Sequence, residues 1–150
     1  MGIRRKAREL ALQLLFAQER EVMGKDAVAA FWESAESPEL SRAYAETLSQ
    51  QVLEHRSEID KVITRYADNW TVDRMSRVDR NLLRLSVAEL FYMPDVPVRV
   101  TLDEAVELAK RFGSDDSGRF VNGVLDRIAR QETDHDFDDE AKAVPRKGAA

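Results

Sequence analysis

The sequence contains no cysteine and few helix-breaking residues, with four prolines and six glycines in 150 residues. The lack of cysteine excludes a disulfide-stabilised scaffold and any thiolate metal site. The two histidines, His55 and His135, are too few and too far apart in sequence to suggest a zinc centre. We therefore expect no metal and no other cofactor.

Long apolar runs are also absent. No stretch approaches the roughly 18 consecutive apolar residues that indicate a membrane-spanning helix. Basic residues near the N-terminus precede an apolar segment, but Gln13, Gln18 and Glu19 interrupt what would have to be the core of a signal peptide. These absences predict a soluble, cytoplasmic protein without membrane association.

Apolar residues, 43% of the chain, recur mainly at helical spacing, and strand-like alternation is nearly absent. The chain is long enough to bury one sizeable core. We predict an all-α fold, a compact helical domain of about six to seven helices over residues 1–131. Residues 132–150 are polar and acidic, which is typical of a disordered tail.

The helices can be placed from this spacing. The pattern predicts helices over 3–18, 27–35, 40–66 and 78–93, and two more between Asp103 and Arg130. The segment 78–93 is apolar almost all round, which favours a buried position in the middle of a bundle. Thr101 and Glu104 resemble a capping box that opens the fifth helix.

The stretch from Asp103 to Arg130 reads as two amphipathic helices. Gly113 follows the last apolar residue of the first, as a C-terminal cap does. Three oxygen-bearing residues then offer caps for the second helix: Ser114, Asp115 and Asp116. Phe120 projects from the flank of that second helix, beside Arg127. This aromatic at a polar border is either an edge-of-core residue or a contact residue.

The first helix has two apolar faces. Its core stripe runs through Leu10 and Leu14, but Leu12 and Phe16 lie roughly opposite, on the same side as Arg5. Either the helix is sandwiched inside the domain, or it offers Leu12 and Phe16 to a partner. The pattern alone leaves both alternatives open.

The net charge of -5 is unevenly distributed. Residues 1–8 hold four bases and no acid: Arg4, Arg5, Lys6 and Arg8. Single-stranded RNA binders combine such cations with an aromatic ring on which a base stacks, and Arg119 with Phe120 could supply the latter. No nucleophile and base arrangement is visible, and the glycine spacing at Gly113 and Gly118 lacks the lysine of a phosphate-binding loop. We expect a protein that is not an enzyme.

Three segments resemble the bacterial transcription antitermination factor NusB: RRKARELALQLLF, VDRNLLRLSVAEL and DEAVELAKRFGSDDSGRFVNGVLDRIAR. They cover most of the chain in the order found in that family. The resemblance implies two packed helical bundles without catalytic activity. It also implies binding of boxA-type RNA in ribosomal RNA leader transcripts, together with the ribosomal protein NusE, within the antitermination complex of RNA polymerase.

The resemblance also assigns residues. Those matching the RNA-binding positions are Arg4, Arg5, Lys6, Arg8, Asp116, Arg119 and Phe120. Phe16 and Asp79 match positions that contact NusE, although Phe16 lacks a hydroxyl and Asp79 is shorter than glutamate. Some family members dimerise through the RNA-binding surface, so a monomer and a homodimer are both open. The alternative function is a helical protein-binding adaptor without RNA activity, using Leu12, Phe16 and Asp79.

Overall fold

The computed structural model describes residues 2–35 and 38–133 of the chain. These residues form six α-helices, and no strand occurs among them. The helices are α1 (Ile3–Arg20), α2 (Lys25–Ser34), α3 (Glu39–Tyr66), α4 (Arg77–Tyr92), α5 (Val98–Phe112) and α6 (Ser117–Glu132). A short 3₁₀ helix, Val72–Arg74, lies between α3 and α4. The predicted all-α fold is confirmed, whereas the predicted acidic tail lies, from Asp134 onward, outside the described residues.

Helix α4 is the centre of the domain. It packs against α1 and α3 on one side and against α5 and α6 on the other, so two bundles share one helix. Its residues Leu82, Leu83 and Val87 are fully buried. This confirms the prediction that the segment 78–93, which is apolar almost all round, is buried in the middle of a bundle. No helix in the two described ranges is long and apolar enough to cross a membrane.

Helix α3 is kinked at His55, where the φ and ψ angles of -118° and 17° leave the helical region. The imidazole of His55 stacks on the ring of Tyr92 at the end of α4, with 4.1 Å between ring centroids. The sequence places His55 among charged neighbours and predicts a solvated side chain. The structure shows it half-buried, because the kink brings it onto an aromatic ring from another helix.

The α5–α6 turn needs glycine because of close approach. The Gly113 N–H donates to the carbonyl of Ala109 over 2.9 Å. A Cβ atom at Gly113 would lie only 2.4 Å from Ser117 Oγ and 2.8 Å from the Ala109 carbonyl oxygen. The φ angle there is -97°, so positive φ is not the reason for glycine. Gly113 ends α5 as predicted.

Two predicted helix caps are wrong. Asp116 precedes α6 but makes no side-chain capping bond. Instead, Ser117 Oγ accepts the Ser114 N–H at 2.9 Å. Thr101 and Glu104 do not form a capping box, because α5 already begins at Val98. Their side chains instead contact other helices, as described below.

Candidate nucleic-acid and protein interfaces

The basic residues at the start of α1 fall into two groups. The guanidinium groups of Arg4 and Arg5 are about half exposed, at 47% and 50%. Arg4 donates to Asp95 over 2.7 Å. Arg5 donates to the carboxylate of Glu104 through Nη2 at 2.8 Å and Nε at 2.9 Å. Lys6 is partly exposed beside them. The Arg4–Asp95 pair is exposed on both sides and contributes little stability, whereas the Glu104 side chain that binds Arg5 is only 12% exposed. Both arginines keep about half of their side chain open to another anion.

Arg8 belongs to the interior. Its side chain is only 6% exposed, and its Nε lies 2.9 Å from a carboxylate oxygen of Glu89 on α4. A second carboxylate, Glu104, lies 3.5 Å from Arg8 Nη1. That Arg8 contacts an RNA phosphate stays a prediction, but in the free chain its guanidinium faces α4 and not solvent. Its role is to fix α1 against the central helix.

Glu89, which is 2% exposed, has every carboxylate oxygen satisfied. Besides Arg8, it accepts hydrogen bonds from the hydroxyl of Tyr44 at 2.8 Å and from that of Thr101 at 2.6 Å. Burial raises the pKa of Tyr44, and the adjacent Glu89 charge raises it further, so the phenol stays protonated and donates. This network joins α1, α3, α4 and α5. Sequence analysis missed Glu89, since its partners are distant in the chain.

Arg119, at the start of α6, is exposed and faces the N-terminus of α1. It shares a groove of about 930 Å³ with Arg5. Lys110 adds a third cation to the lining, and four acids also line it: Asp103, Glu104, Glu107 and Asp115. The structure thus brings together two of the predicted RNA-binding residues that are far apart in sequence. Asp116 is exposed at the beginning of the same helix.

Phe120 is not among the residues that line that groove. It is half-buried and packs against the edge of the core. Its ring also meets the ring of Trp70 edge to face, with 6.3 Å between centroids. The edge-of-core interpretation of Phe120 is therefore confirmed, and its role as a contact residue stays a prediction. Trp70, which is 51% exposed, was not singled out by the sequence analysis.

The other end of α1 carries the second set of candidates. Leu12 is 4% exposed and belongs to the core, which confirms the sandwiched alternative for that residue and removes it from any partner surface. Phe16 is half-buried. The guanidinium of Arg77 covers its ring at 5.1 Å from the centroid. Phe16 therefore lies at the border between core and solvent.

A cluster of charges holds this end of α1 against α4. Glu19 receives hydrogen bonds from Arg80, from Arg84 at 3.0 Å and from the Asn81 amide at 3.0 Å. Arg84 also binds Asp60 on α3, over 2.8 Å. Burial raises the pKa of Glu19, but the hydrogen bonds from Arg80 and Asn81 lower it more, to about 2. Sequence analysis missed this cluster as well.

Asp79 lies in the first turn of α4, close to where Arg77 meets α1. Its backbone N–H donates to the hydroxyl of Ser76 over 3.1 Å, so Ser76 is the residue that caps α4. Within the described part of the chain, Oδ1 of Asp79 is buried and accepts no hydrogen bond. The helix ends that carry Phe16 and Asp79 therefore meet in the structure. Among residues 2–35 and 38–133, no cluster of side chains suited to a metal ion occurs.

These features define a class of small all-α domains in which two helical bundles share a central helix. Residues 5–130 match the family model described as the NusB family. Over 132 residues the chain is 52% identical to the transcription antitermination protein NusB of Sorangium cellulosum, covering 86% of this chain and 93% of that protein. It is 47% identical to the protein of the same name from Myxococcus xanthus over 135 residues, covering 86% and 96%.

Solved structures agree with this match. NusB of T. maritima superposes with a TM-score of 0.76 at 38% identity, over 85% of this chain and 91% of that one. A structure of the antitermination factors NusB and NusE in complex with dsRNA gives 0.77 at 29% identity, over 87% and 98%. The chain belongs to the NusB family, as its sequence motifs indicate. It is a transcription antitermination factor and not an enzyme.

Proposed function

We propose that this chain binds boxA-type RNA of ribosomal RNA leader transcripts together with the ribosomal protein NusE. In this role it acts as a non-catalytic adaptor of the RNA polymerase antitermination complex. The observation that carries the proposal is the convergence of Arg5 and Arg119, from opposite ends of the chain, on one groove. The similar structure of NusB and NusE with dsRNA supports the choice of partners.

The proposed RNA surface combines the exposed part of the basic N-terminus with the start of α6. Arg4 is paired with the exposed Asp95, and such pairs are worth only about 0–1 kcal/mol, so exchange of Asp95 for a phosphate oxygen costs little. Arg5 stays bound to the largely buried Glu104 and offers phosphate the exposed half of its side chain. Lys6 and Arg119 complete the cationic set, and Phe120 supplies the accessible part of an aromatic ring.

Salt dependence tests this surface. If Arg4, Arg5, Lys6 and Arg119 contact phosphates, the log–log plot of affinity against salt should have a slope of about -2 to -3, from about -0.7 per contact on a single strand. Arg5→Gln should flatten the slope by about 0.7 and weaken boxA-like and scrambled RNA alike, because phosphate contacts carry no sequence information. Fluorescence anisotropy measures both effects. The matched control is Arg56→Gln, which replaces an exposed arginine on the second half of α3 and should change neither the slope nor the affinity. An unchanged slope in Arg5→Gln would refute the phosphate contact.

The proposed NusE surface is the meeting point of α1 and α4, at Phe16 and Asp79. Phe16 is half-buried under Arg77, so part of a large aromatic ring is available at an otherwise charged border. Asp79 is partly exposed beside it, although the carboxylate oxygen that accepts no hydrogen bond within the described residues, Oδ1, is itself buried. A partly exposed aromatic ring beside a partly exposed carboxylate suits a protein partner.

Phe16→Ala should weaken the complex with NusE by about 2 kcal/mol or more, which is typical of an aromatic anchor truncated at an interface. Thermal unfolding should show a smaller loss of stability than the roughly 3–5 kcal/mol of a core Phe→Ala change, because Phe16 is only half-buried. Isothermal titration calorimetry gives the affinity. Phe112→Ala, an exposed aromatic on α5 at 37%, is the control and should leave NusE binding unchanged. A full core-like loss of stability with intact NusE binding would remove Phe16 from the interface.

A protein-binding adaptor without RNA activity is the second candidate, because a surface made of Phe16 and Asp79 could bind a protein without any RNA contact. The two functions differ in one measurement. Immobilised boxA-like RNA should retain the chain, and a scrambled oligonucleotide should retain less of it. If the chain binds NusE but is retained by neither the boxA-like nor the scrambled RNA, the adaptor function is favoured.

A further inference from the structure

Trp70 is an exposed aromatic residue that the functional assignment leaves unused. It lies in the connection between α3 and the 3₁₀ helix and is 51% exposed. The other tryptophan, Trp32, is 5% exposed and belongs to the core. Tryptophan is on average highly buried in folded proteins, so the half-exposed side chain of Trp70 calls for an explanation.

The backbone around Trp70 is held in a defined conformation. Asp68 adopts a positive φ of 54°, and the Trp70 N–H donates to the carbonyl of Ala67 over 3.1 Å. The loop is also tied to α6, because Arg127 Nη1 lies 3.2 Å from the carboxylate of Asp68. The ring of Phe120 meets the indole edge to face. Trp70 is thus positioned against α6 in the free protein.

We propose that Trp70 stacks on a base of the bound single-stranded RNA and extends the binding surface beyond Phe120. This proposal rests on the proposed RNA-binding function and adds a residue to the same site. Phe120 is half-buried in the edge of the core, whereas Trp70, in contact with it, exposes the larger ring system. A base that reaches Phe120 therefore lies within reach of the indole as well.

The charges nearby favour a nucleic acid over an apolar peptide as the occupant. Arg119 precedes Phe120 on α6 and Arg127 follows it two turns later. Both side chains are exposed. Cations that flank an aromatic platform contact the phosphates, while the ring takes the base. Such stacking tolerates any base, because every base has a π-face. Trp70 therefore contributes affinity more than sequence preference.

Tryptophan fluorescence tests stacking directly. The chain has two tryptophans, so Trp32→Phe leaves Trp70 as the only source of indole emission. Titration with boxA-like RNA should quench that emission along the same curve that anisotropy gives for binding. Trp70→Phe, in which the buried Trp32 is the only reporter, should bind with little change in emission. RNA binding by the Trp32→Phe variant without any change in Trp70 emission would overturn the proposal, and so would quenching by NusE alone but not by RNA.

Affinity gives the second readout. Trp70→Leu should weaken RNA binding about 5- to 150-fold, the range for loss of one stacked base, with the salt slope unchanged. Trp70→Phe retains a ring and should recover most of the loss. If both variants lose affinity equally and both melt at lower temperature, Trp70 only supports the fold and the proposal fails.

The outcomes also separate this proposal from the function on which it rests. If Arg5→Gln weakens RNA binding and Trp70→Leu does not, the RNA-binding function stands and the stacking role of Trp70 is wrong. If the unaltered chain binds no boxA-like RNA, both are wrong. A loss in both variants, with a flattened slope only in Arg5→Gln, supports both.

Discussion

Replacing Arg8 with alanine should lower the free energy of unfolding by about 3–5 kcal/mol, the usual effect of removing one partner of a buried ion pair. The change leaves the carboxylate of Glu89, itself 2% exposed, without its counter-charge. Hydrogen bonds from Tyr44 and Thr101 remain, but neither carries a positive charge. Urea denaturation at neutral pH measures the loss.

Arg5→Ala is the matched control for Arg8→Ala. Arg5 lies one helical turn away and also binds a carboxylate on another helix, but its side chain is half exposed and Glu104 keeps its contact with Arg8, so the loss of Arg5 should cost about 1 kcal/mol. RNA binding should show the reverse order. Arg5→Ala should weaken it and Arg8→Ala should not, since of the two only Arg5 lines the groove. If Arg8→Ala is as stable as the unaltered chain and flattens the salt slope, Arg8 contacts RNA and its burial is misassigned.

Glu19→Gln should destabilise the domain by roughly 2–3 kcal/mol at neutral pH, because a pKa change of about 2.5 units corresponds to about 3.5 kcal/mol and solvent screening reduces it. The pKa of Glu19 is lowered from 4.5 to about 2 by Arg80 and Asn81 against the opposing effect of burial. The amide keeps the size of the side chain but removes the charge that faces three arginines, Arg77, Arg80 and Arg84.

The pH dependence of stability identifies the cause. Because the pKa is lower in the folded state, the ionised carboxylate stabilises the fold fully above about pH 5, and that contribution is lost as the pH falls toward 2. The difference in unfolding free energy between Glu19→Gln and the unaltered chain should therefore shrink over this interval. Glu46→Gln, which removes an exposed pair with Arg42, should cost about 0.5 kcal/mol or less at any pH. A Glu19→Gln effect that is constant with pH would point to packing instead.

The helices could be read from the sequence because their signals are local. The apolar stripes of α5 and α6 and the uniformly apolar α4 predicted both the elements and their burial. The predicted caps were less reliable. Thr101 has the spacing of a capping residue, but in the fold its hydroxyl binds Glu89 at 2.6 Å, and helix α5 begins at Val98.

The candidate site was predicted only in part, and the missing part is tertiary. Arg4, Arg5, Lys6 and Arg8 look equivalent in sequence, and only the approach of α4 separates Arg8 from the rest. Glu19 and Glu89 give no local signal, since their partners are 45 or more residues away along the chain, except where Glu89 meets Thr101. Trp70 was passed over because its relation to Phe120 arises from a loop that folds onto α6.

Helix α1 is fastened to α4 at two places, through Arg8 to Glu89 near its start and through Glu19 to Arg80 near its end. Arg5 and Phe16, one on each proposed surface, are separated by about 16 Å along this continuous helix, at about 1.5 Å per residue. A helix anchored in this way acts as a spacer of fixed length. The two proposed surfaces are thus already at a set distance in the free chain, before either partner binds. Any gain in RNA affinity when NusE is present should then come from contacts between NusE and the RNA themselves.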